Sequence, residues 1–236
     1  MSITADQPTT TTTAGASSPA AAAPTATSRA LAVRRAFLVA CPVLAGVLAV
    51  IGAYADPGAG ISGNEMFRLY AAHPGPLQFK SLAFHWSYAF WIAPALLAAA
   101  YVRGRGAWIA NVAALLGFAG MTTLPGLLFS DWYDSAIGQL YGPDAPGAVY
   151  EKMSGSMWGV PVFTTPAMVG FMLALPLATI ALWRARVVRW WALPVVLGGY
   201  AGFNYSNVMW WGCAITAVCF TAFAFELSRG TRGHRG

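Results

Sequence analysis

Charged side chains are scarce in this 236-residue chain: Asp, Glu, Lys and Arg make up 9% of it, whereas hydrophobic residues make up 57%. An ordinary soluble domain carries roughly 25% charged residues. A chain with so little charge lacks the solvated surface that a soluble fold of this size needs. This scarcity excludes a soluble globular protein and indicates that the lipid bilayer is the solvent.

Lysine is nearly absent, because Lys80 and Lys152 are the only two among 14 basic residues. The formal net charge of +6 nevertheless raises the question of nucleic acid. The arginines form short clusters at the ends of apolar segments, and they do not build one continuous basic patch. This arrangement is typical of membrane topology signals. We therefore expect no nucleic-acid partner.

Cysteine is rare as well, and its positions exclude the common cysteine-based sites. The three cysteines all lie in apolar segments: Cys41, Cys213 and Cys219. No CxxC or Cys/His spacing is present, which excludes a sequence-encoded zinc site or disulfide framework. GxSxG and P-loop motifs are also missing. A single histidine within the apolar segments excludes bis-histidine haem ligation in one chain. We predict no cofactor.

The beginning of the chain is polar and is followed by a long apolar segment. Residues 1–30 are rich in Thr, Ala and Pro, which predicts a disordered cytoplasmic tail. Arg34-Arg35 resembles an export signal, and Ala53-Tyr54-Ala55 resembles a cleavage site. The apolar segment between them exceeds the 7–15-residue core of a signal peptide. We therefore favour a retained first transmembrane helix over cleavage after Ala55.

Six apolar segments predict an all-α fold, a polytopic bundle of about six transmembrane helices within residues 31–228. The expected helices are 36–55, 81–102, 107–130, 159–183, 190–204 and 208–227. The last two are at the lower limit of spanning length. A loop with a short helix near 64–72 is expected over 56–80, and a second long loop over 131–158. Residues 229–236 are expected to form a basic cytoplasmic tail.

The charges predict an orientation. Alternate connections between the segments hold every arginine except Arg68, and the opposite connections hold most of the acidic residues. Arginine and lysine resist translocation across the bacterial inner membrane, so this segregation favours cytoplasmic N- and C-termini. The two basic clusters that flank residues 190–227 lie on one side, which requires an even number of crossings between them.

Polar residues gather at the expected outer ends of the helices, and two interpretations are open. The candidates for an outer polar site are His85, Asp131, Asp134, Asn204 and Asn207. One interpretation is an interfacial aromatic belt with ordinary polar caps. The other is an outward-opening pocket, in which His85 paired with Asp131 binds a proton, a cation or a polar headgroup. A metal site of His85, Asp131 and Asp134 has suitable residue types but nonspecific spacing, and we predict none.

Two classes of function fit these features. The first is a non-enzymatic membrane protein in transport, in a permease complex or as an accessory factor. Its partners would be membrane lipids, a small-molecule or lipid ligand, and other membrane subunits. The alternative is an integral-membrane enzyme that uses acid–base chemistry on a lipid or isoprenoid. A purely structural assembly factor is a further hypothesis.

Several short motifs resemble those of uncharacterised multi-pass membrane proteins of high-GC bacteria. They are Ala71-Ala72-His73-Pro74-Gly75, His85 near the start of the second apolar segment, Arg103-Gly104-Arg105-Gly106 and Asp131 after the third segment. The resemblance spans about residues 35–135. It implies a multi-pass membrane fold and no catalytic role for any residue.

Overall fold

The computed structural model describes residues 26–233. Over that range the chain forms nine helices and no strand. The helices are α1 (Ala26–Ala55), α2 (Asn64–Ala72), α3 (Pro74–Ala98), α4 (Ala107–Leu127), α5 (Ser130–Tyr141), α6 (Ala145–Ser156), α7 (Gly159–Arg184), α8 (Ala192–Tyr205) and α9 (Trp210–Gly233). Most of the predicted disordered tail, residues 1–25, lies outside the described residues.

Four regions are long and apolar enough to cross a membrane, which supports a transmembrane protein. They are Arg29–Ala55, Ala107–Tyr141, Gly159–Arg184 and Trp210–Arg232. The helix α8 has only 14 residues. The helix α3 has 25 residues, but Lys80, His85 and two serines interrupt its apolar sequence. Six crossings were predicted, and α3 and α8 are the two that are not among the four observed candidates.

The helices form a bundle and a cap. The bundle contains α1, α3, α4, α7, α8 and α9, in which α1 packs against α3 and α9, and α4 packs most extensively against α7. The cap contains the short helices α2, α5 and α6, which pack against one another and rest on α3 and α4. The two long polar connections between apolar segments therefore contain helices, and these helices pack into a separate layer.

An aromatic cluster around Trp91 fills the bundle core. The Trp91 ring lies 4.5 Å from the Phe220 ring and 4.8 Å from the Phe171 ring, measured between centroids. Tyr200 and Phe203 lie 5.0 Å and 5.1 Å from it in edge-on geometry. Edge-on aromatic pairs at these distances contribute beyond their buried area. The cluster thus joins α3, α7, α8 and α9 at one point.

Glycines allow the closest helix contacts, as expected for membrane bundles. A Cβ added to Gly170 of α7 would lie 2.6 Å from the backbone nitrogen of Gly120 in α4. Hydroxyl groups add bonds between helices: Ser87 Oγ donates to the Ala45 carbonyl at 2.8 Å, and Thr216 Oγ1 donates to the Gly199 carbonyl at 2.8 Å. Close backbone approach and interhelical hydrogen bonds therefore hold the bundle together.

The arginine-rich segments meet at one end of the bundle. Tyr101 after α3 donates to the Leu31 carbonyl of α1, and Arg35 of α1 donates to Thr231 Oγ1 of α9 at 3.0 Å. The backbone N–H of Arg189, before α8, donates to Glu226 of α9. The cap, with Asp131, Asp134 and Asp144, occupies the opposite end. The arginine-rich and acidic segments that alternate along the sequence therefore lie at opposite ends of the fold.

Several expected boundaries differ from those observed. The helix α3 begins at Pro74 and not at residue 81, because proline fits the first turn of a helix, where its missing N–H needs no partner. The expected loop over 131–158 forms α5 and α6, and the Gly142-Pro143 turn separates them. Residues 26–30 belong to α1, and α9 continues through the expected basic tail to Gly233.

Candidate polar site between the cap and the bundle

A buried ion pair joins the cap to the bundle. Lys80 Nζ of α3 lies 2.6 Å from Asp131 Oδ2 of α5, and the two side chains are only 8% and 14% exposed. Ser81 Oγ donates a second hydrogen bond to the same carboxylate oxygen at 2.7 Å. Charge-assisted hydrogen bonds of this length are strong. The pair is the charged centre of the candidate site.

The local backbone explains how these residues meet. Lys80 and Ser81 lie two turns into α3, which is extended by its proline-rich first turn. Between α4 and α5, the Phe129 N–H bonds to the Gly126 carbonyl, three residues back. Leu128 and Phe129 keep right-handed helical dihedrals, so the chain runs on into α5, whose first turn places Asp131 against Lys80 and Ser81 of α3.

Tyr70 and Asp56 complete the surroundings of Lys80. Lys80 Nζ donates to the Tyr70 hydroxyl at 3.1 Å and also lies 4.9 Å from the centre of the Tyr70 ring. Burial raises the pKa of Tyr70 to about 12, although the Lys80 charge opposes that rise. Burial likewise raises the pKa of Asp56, against the attraction of Lys80. One lysine is thus surrounded by two carboxyl groups and a phenol.

Asp134 lies one helical turn after Asp131 and has a different partner. Tyr150 of α6 donates its hydroxyl to Asp134 Oδ2 at 3.2 Å, and Asp134 is 6% exposed. The next residue, Ser135, donates to the Tyr70 carbonyl of α2 at 2.8 Å. Burial raises the pKa of the Tyr150 phenol. These contacts hold α5 against the other two cap helices.

His85 does not bond to Asp131, contrary to the predicted pairing. Its Nδ1 donates to the Pro125 carbonyl of α4 at 3.0 Å. That carbonyl is available because the turn after α4 sends the Phe129 N–H to Gly126. A carbonyl can only accept, so Nδ1 must carry the proton. His85 thus caps a helix end, while Lys80 neutralises Asp131.

The two asparagines serve the turn between α8 and α9. Asn204 Nδ2 donates to the Tyr200 carbonyl in its own helix at 2.8 Å. Asn207 has a left-handed φ of 50°, which asparagine tolerates better than most residues. Both side chains are exposed. They act as ordinary polar caps, and no described hydrogen bond joins them to Asp131 or Asp134.

The site therefore contains Asp131 and Asp134 from the predicted set, with partners that sequence reasoning missed. The missed residues are Asp56, Tyr70, Lys80, Ser81 and Tyr150. Lys80 carried a usable signal, because it is one of two lysines and directly precedes an apolar segment. Within residues 29–232, no group of three or more His, Cys, Asp or Glu side chains is close enough to hold a metal ion.

Comparisons of the chain with protein-family models, with curated proteins and with solved structures give no match.

The polar groups of the site bond mainly to one another. The lysine and the aspartate neutralise one another, and the serine and the tyrosine satisfy further hydrogen-bonding capacity. Breaking such a pair leaves a buried charge without compensation, at a cost of about 3–5 kcal/mol. The arrangement holds the cap on the bundle.

Proposed function

We propose that the chain is a multi-pass protein of the bacterial inner membrane with six crossings and both termini in the cytoplasm. In this proposal α3 and α8 cross the membrane together with the four long apolar helices. Each of them has one end at the arginine-rich end of the bundle: Tyr101 after α3 bonds to Leu31 of α1, and Arg189 before α8 bonds to Glu226 of α9. Cytoplasmic arginines would then place the cap outside.

We further propose a non-enzymatic role, in transport, in a permease complex or as an accessory factor, with the polar site at the outer face. The Lys80–Asp131 ion pair carries this proposal. A general acid or base must reach the substrate proton within hydrogen-bond distance. Here both groups are largely buried and bonded to each other between the cap and the bundle. A site built in this way favours positioning of the cap over acid–base turnover of a lipid.

Reconstituted protein tests this role. The full chain and the double variant Lys80→Met/Asp131→Leu would be placed in vesicles made from a bacterial lipid extract. The lipids would then be followed by mass spectrometry over several hours. The expected result is the same lipid composition with the wild type, with the variant and in empty vesicles. Turnover by the wild type that disappears in the variant would overturn the proposal and establish the enzyme alternative.

A further inference from the structure

Two apolar grooves lie beside the contact between α1 and α9. The first has a volume of about 520 Å³ and is lined by Ala32, Ala36, Ala40 and Leu44 of α1, with Arg35 and Ser228 at its end. The second has a volume of about 550 Å³ and is lined by α9 alone, including Val218 and Phe225. Both grooves are open to the surroundings of the bundle.

The two grooves overlap in depth and lie on the outward side of the α1–α9 pair. Gly46 of α1 meets Ala217 of α9, and Arg35 meets Ser228, which fixes the antiparallel register of the two helices. In this register residues 217–225 of α9 lie beside residues 38–46 of α1, so the two grooves overlap over about two helical turns. On both helices they project away from the face that carries the buried residues Leu38 and Phe223.

The length of the first groove matches one leaflet. From Arg35 to Leu44 a helix rises about 14 Å at 1.5 Å per residue. Half of a hydrocarbon core of about 30 Å is roughly 15 Å. The grooves begin at the arginine end of the bundle and therefore extend to about the middle of the membrane. Their lining is almost entirely apolar, as an acyl chain requires.

Each groove has an arginine near its end at the arginine-rich side of the bundle. Arg35 lies one turn from the Ala32 end of the first groove, where its Nε and Nη2 donate to Thr231 and to the Ser228 carbonyl. Arg229 lies over the Phe225 ring at 5.5 Å, at the end of the second groove. The sequence has no acidic residue between Asp6 and Asp56, and none after Glu226. This end of the contact between α1 and α9 therefore favours a negatively charged group.

We infer that the α1–α9 seam is a binding site for one two-chain anionic phospholipid of the bilayer. One acyl chain lies in each groove, and the phosphate is held between Arg35 and Arg229. Two grooves side by side fit the two chains of a phospholipid, and the arginines supply the charge that its headgroup needs. The assignment of this lipid to the inner leaflet rests on the proposed orientation of the chain, whereas the binding site does not.

Lipid adducts of the purified full chain test the site. Native mass spectrometry from detergent would compare phosphatidylglycerol with phosphatidylcholine carrying identical acyl chains. A surface arginine near an anionic lipid contributes about 1 kcal/mol, which is about fivefold in occupancy. The expected result is that Arg229→Gln lowers the phosphatidylglycerol adduct about fivefold and leaves phosphatidylcholine unchanged. Ala40→Phe, which fills the first groove, should lower both adducts.

Matched controls separate this site from general attraction to a basic surface. Arg103→Gln removes an arginine from the α3–α4 turn, and Leu115→Phe enlarges an exposed side chain on α4. Neither should change either adduct. Equal binding of the two lipids by the wild type, or an equal loss in the control variants, would overturn the site. The assay takes place in micelles, so its failure is independent of the orientation, which labelling of intact cells tests separately.

Discussion

Lys80 and Asp131 are 51 residues apart in sequence, and their Nζ and Oδ2 atoms lie 2.6 Å apart in the fold. This contact joins a helix of the bundle to a helix of the cap. Both side chains are largely removed from solvent, so each charge depends on the other for its solvation. Burying either charge alone would cost free energy, and the fold offsets that cost by placing the two charges in contact.

Removing one member of the pair should destabilise the protein more than removing both. Asp131→Leu leaves the Lys80 charge buried, and we expect the free energy of unfolding to fall by about 3–5 kcal/mol. The double variant Lys80→Met/Asp131→Leu replaces the pair with apolar groups and should recover most of that loss. Thermal unfolding in detergent measures both. Losses that simply add in the double variant would show that the two residues are not coupled.

The contact between α4 and α7 should tolerate no side chain at Gly170. A Cβ there would lie 2.7 Å from Gly120 Cα, so Gly170→Ala must separate the two helices. Overpacking of this kind costs about 1–3 kcal/mol. Gly126→Ala on α4 is the control, because a Cβ there meets nothing within 4 Å. Unfolding midpoints that change equally in the two variants would contradict the close contact.

The carboxylate of Glu226 should be replaceable by an amide but not by a methyl group. Glu226 is 4% exposed, and its Oε1 accepts the Arg189 backbone N–H at 3.1 Å. Glu226→Gln keeps an oxygen acceptor and should change stability little. Glu226→Ala leaves that N–H without its partner, which costs about 1–3 kcal/mol. Chemical unfolding of the two variants distinguishes them, and equal losses would mean that the charge matters more than the hydrogen bond.

Neutralising Asp56 should stabilise the protein at neutral pH. Burial raises the pKa of Asp56, so the folded state binds this proton more tightly than the unfolded chain does. The free energy of unfolding therefore falls as the pH rises through the carboxyl range, and it stays lower above the folded pKa. Asp56→Asn removes this loss and keeps an oxygen to accept the Gly58 N–H.

Unfolding midpoints measured across pH check this sign. The Asp56→Asn variant should unfold at a higher temperature than the wild type at pH 7. The difference should shrink below about pH 4, the ordinary range for aspartate, where the wild-type carboxyl is protonated in both states. A variant that is less stable at pH 7 would show that the attraction of Lys80 outweighs the burial of Asp56.

The sequence predicted the helical class and most of the long helices, because hydrophobic segments of spanning length are a strong signal. The bounds of α7 differ by one residue from those expected. The full length of α3 and the helices α5 and α6 were missed, because proline at a helix start and polar segments both resemble loops. The glycine and proline signals located the turn between α5 and α6 but not the helices on either side.

The candidate site was only partly predictable. Asp131 and Asp134 were chosen for their position at a helix end, and both lie at the cap–bundle contact. Their partners lie on α2, which was expected as a short helix near 64–72, and on α3 and α6, but the sequence does not show that these elements meet α5. His85 was paired with Asp131 because both lie near one depth. Depth alone does not reveal that the end of α4 presents a carbonyl to His85.

Labelling of single cysteines in intact cells tests the orientation of the chain most directly. In a background without Cys41, Cys213 and Cys219, one cysteine would replace Ser2 in the N-terminal tail and another would replace Ser154, which is exposed on the cap. A membrane-impermeant maleimide should label Ser154→Cys in intact cells and Ser2→Cys only after lysis. Labelling of Ser2→Cys in intact cells, or protection of Ser154→Cys until lysis, would contradict a cap that faces outward.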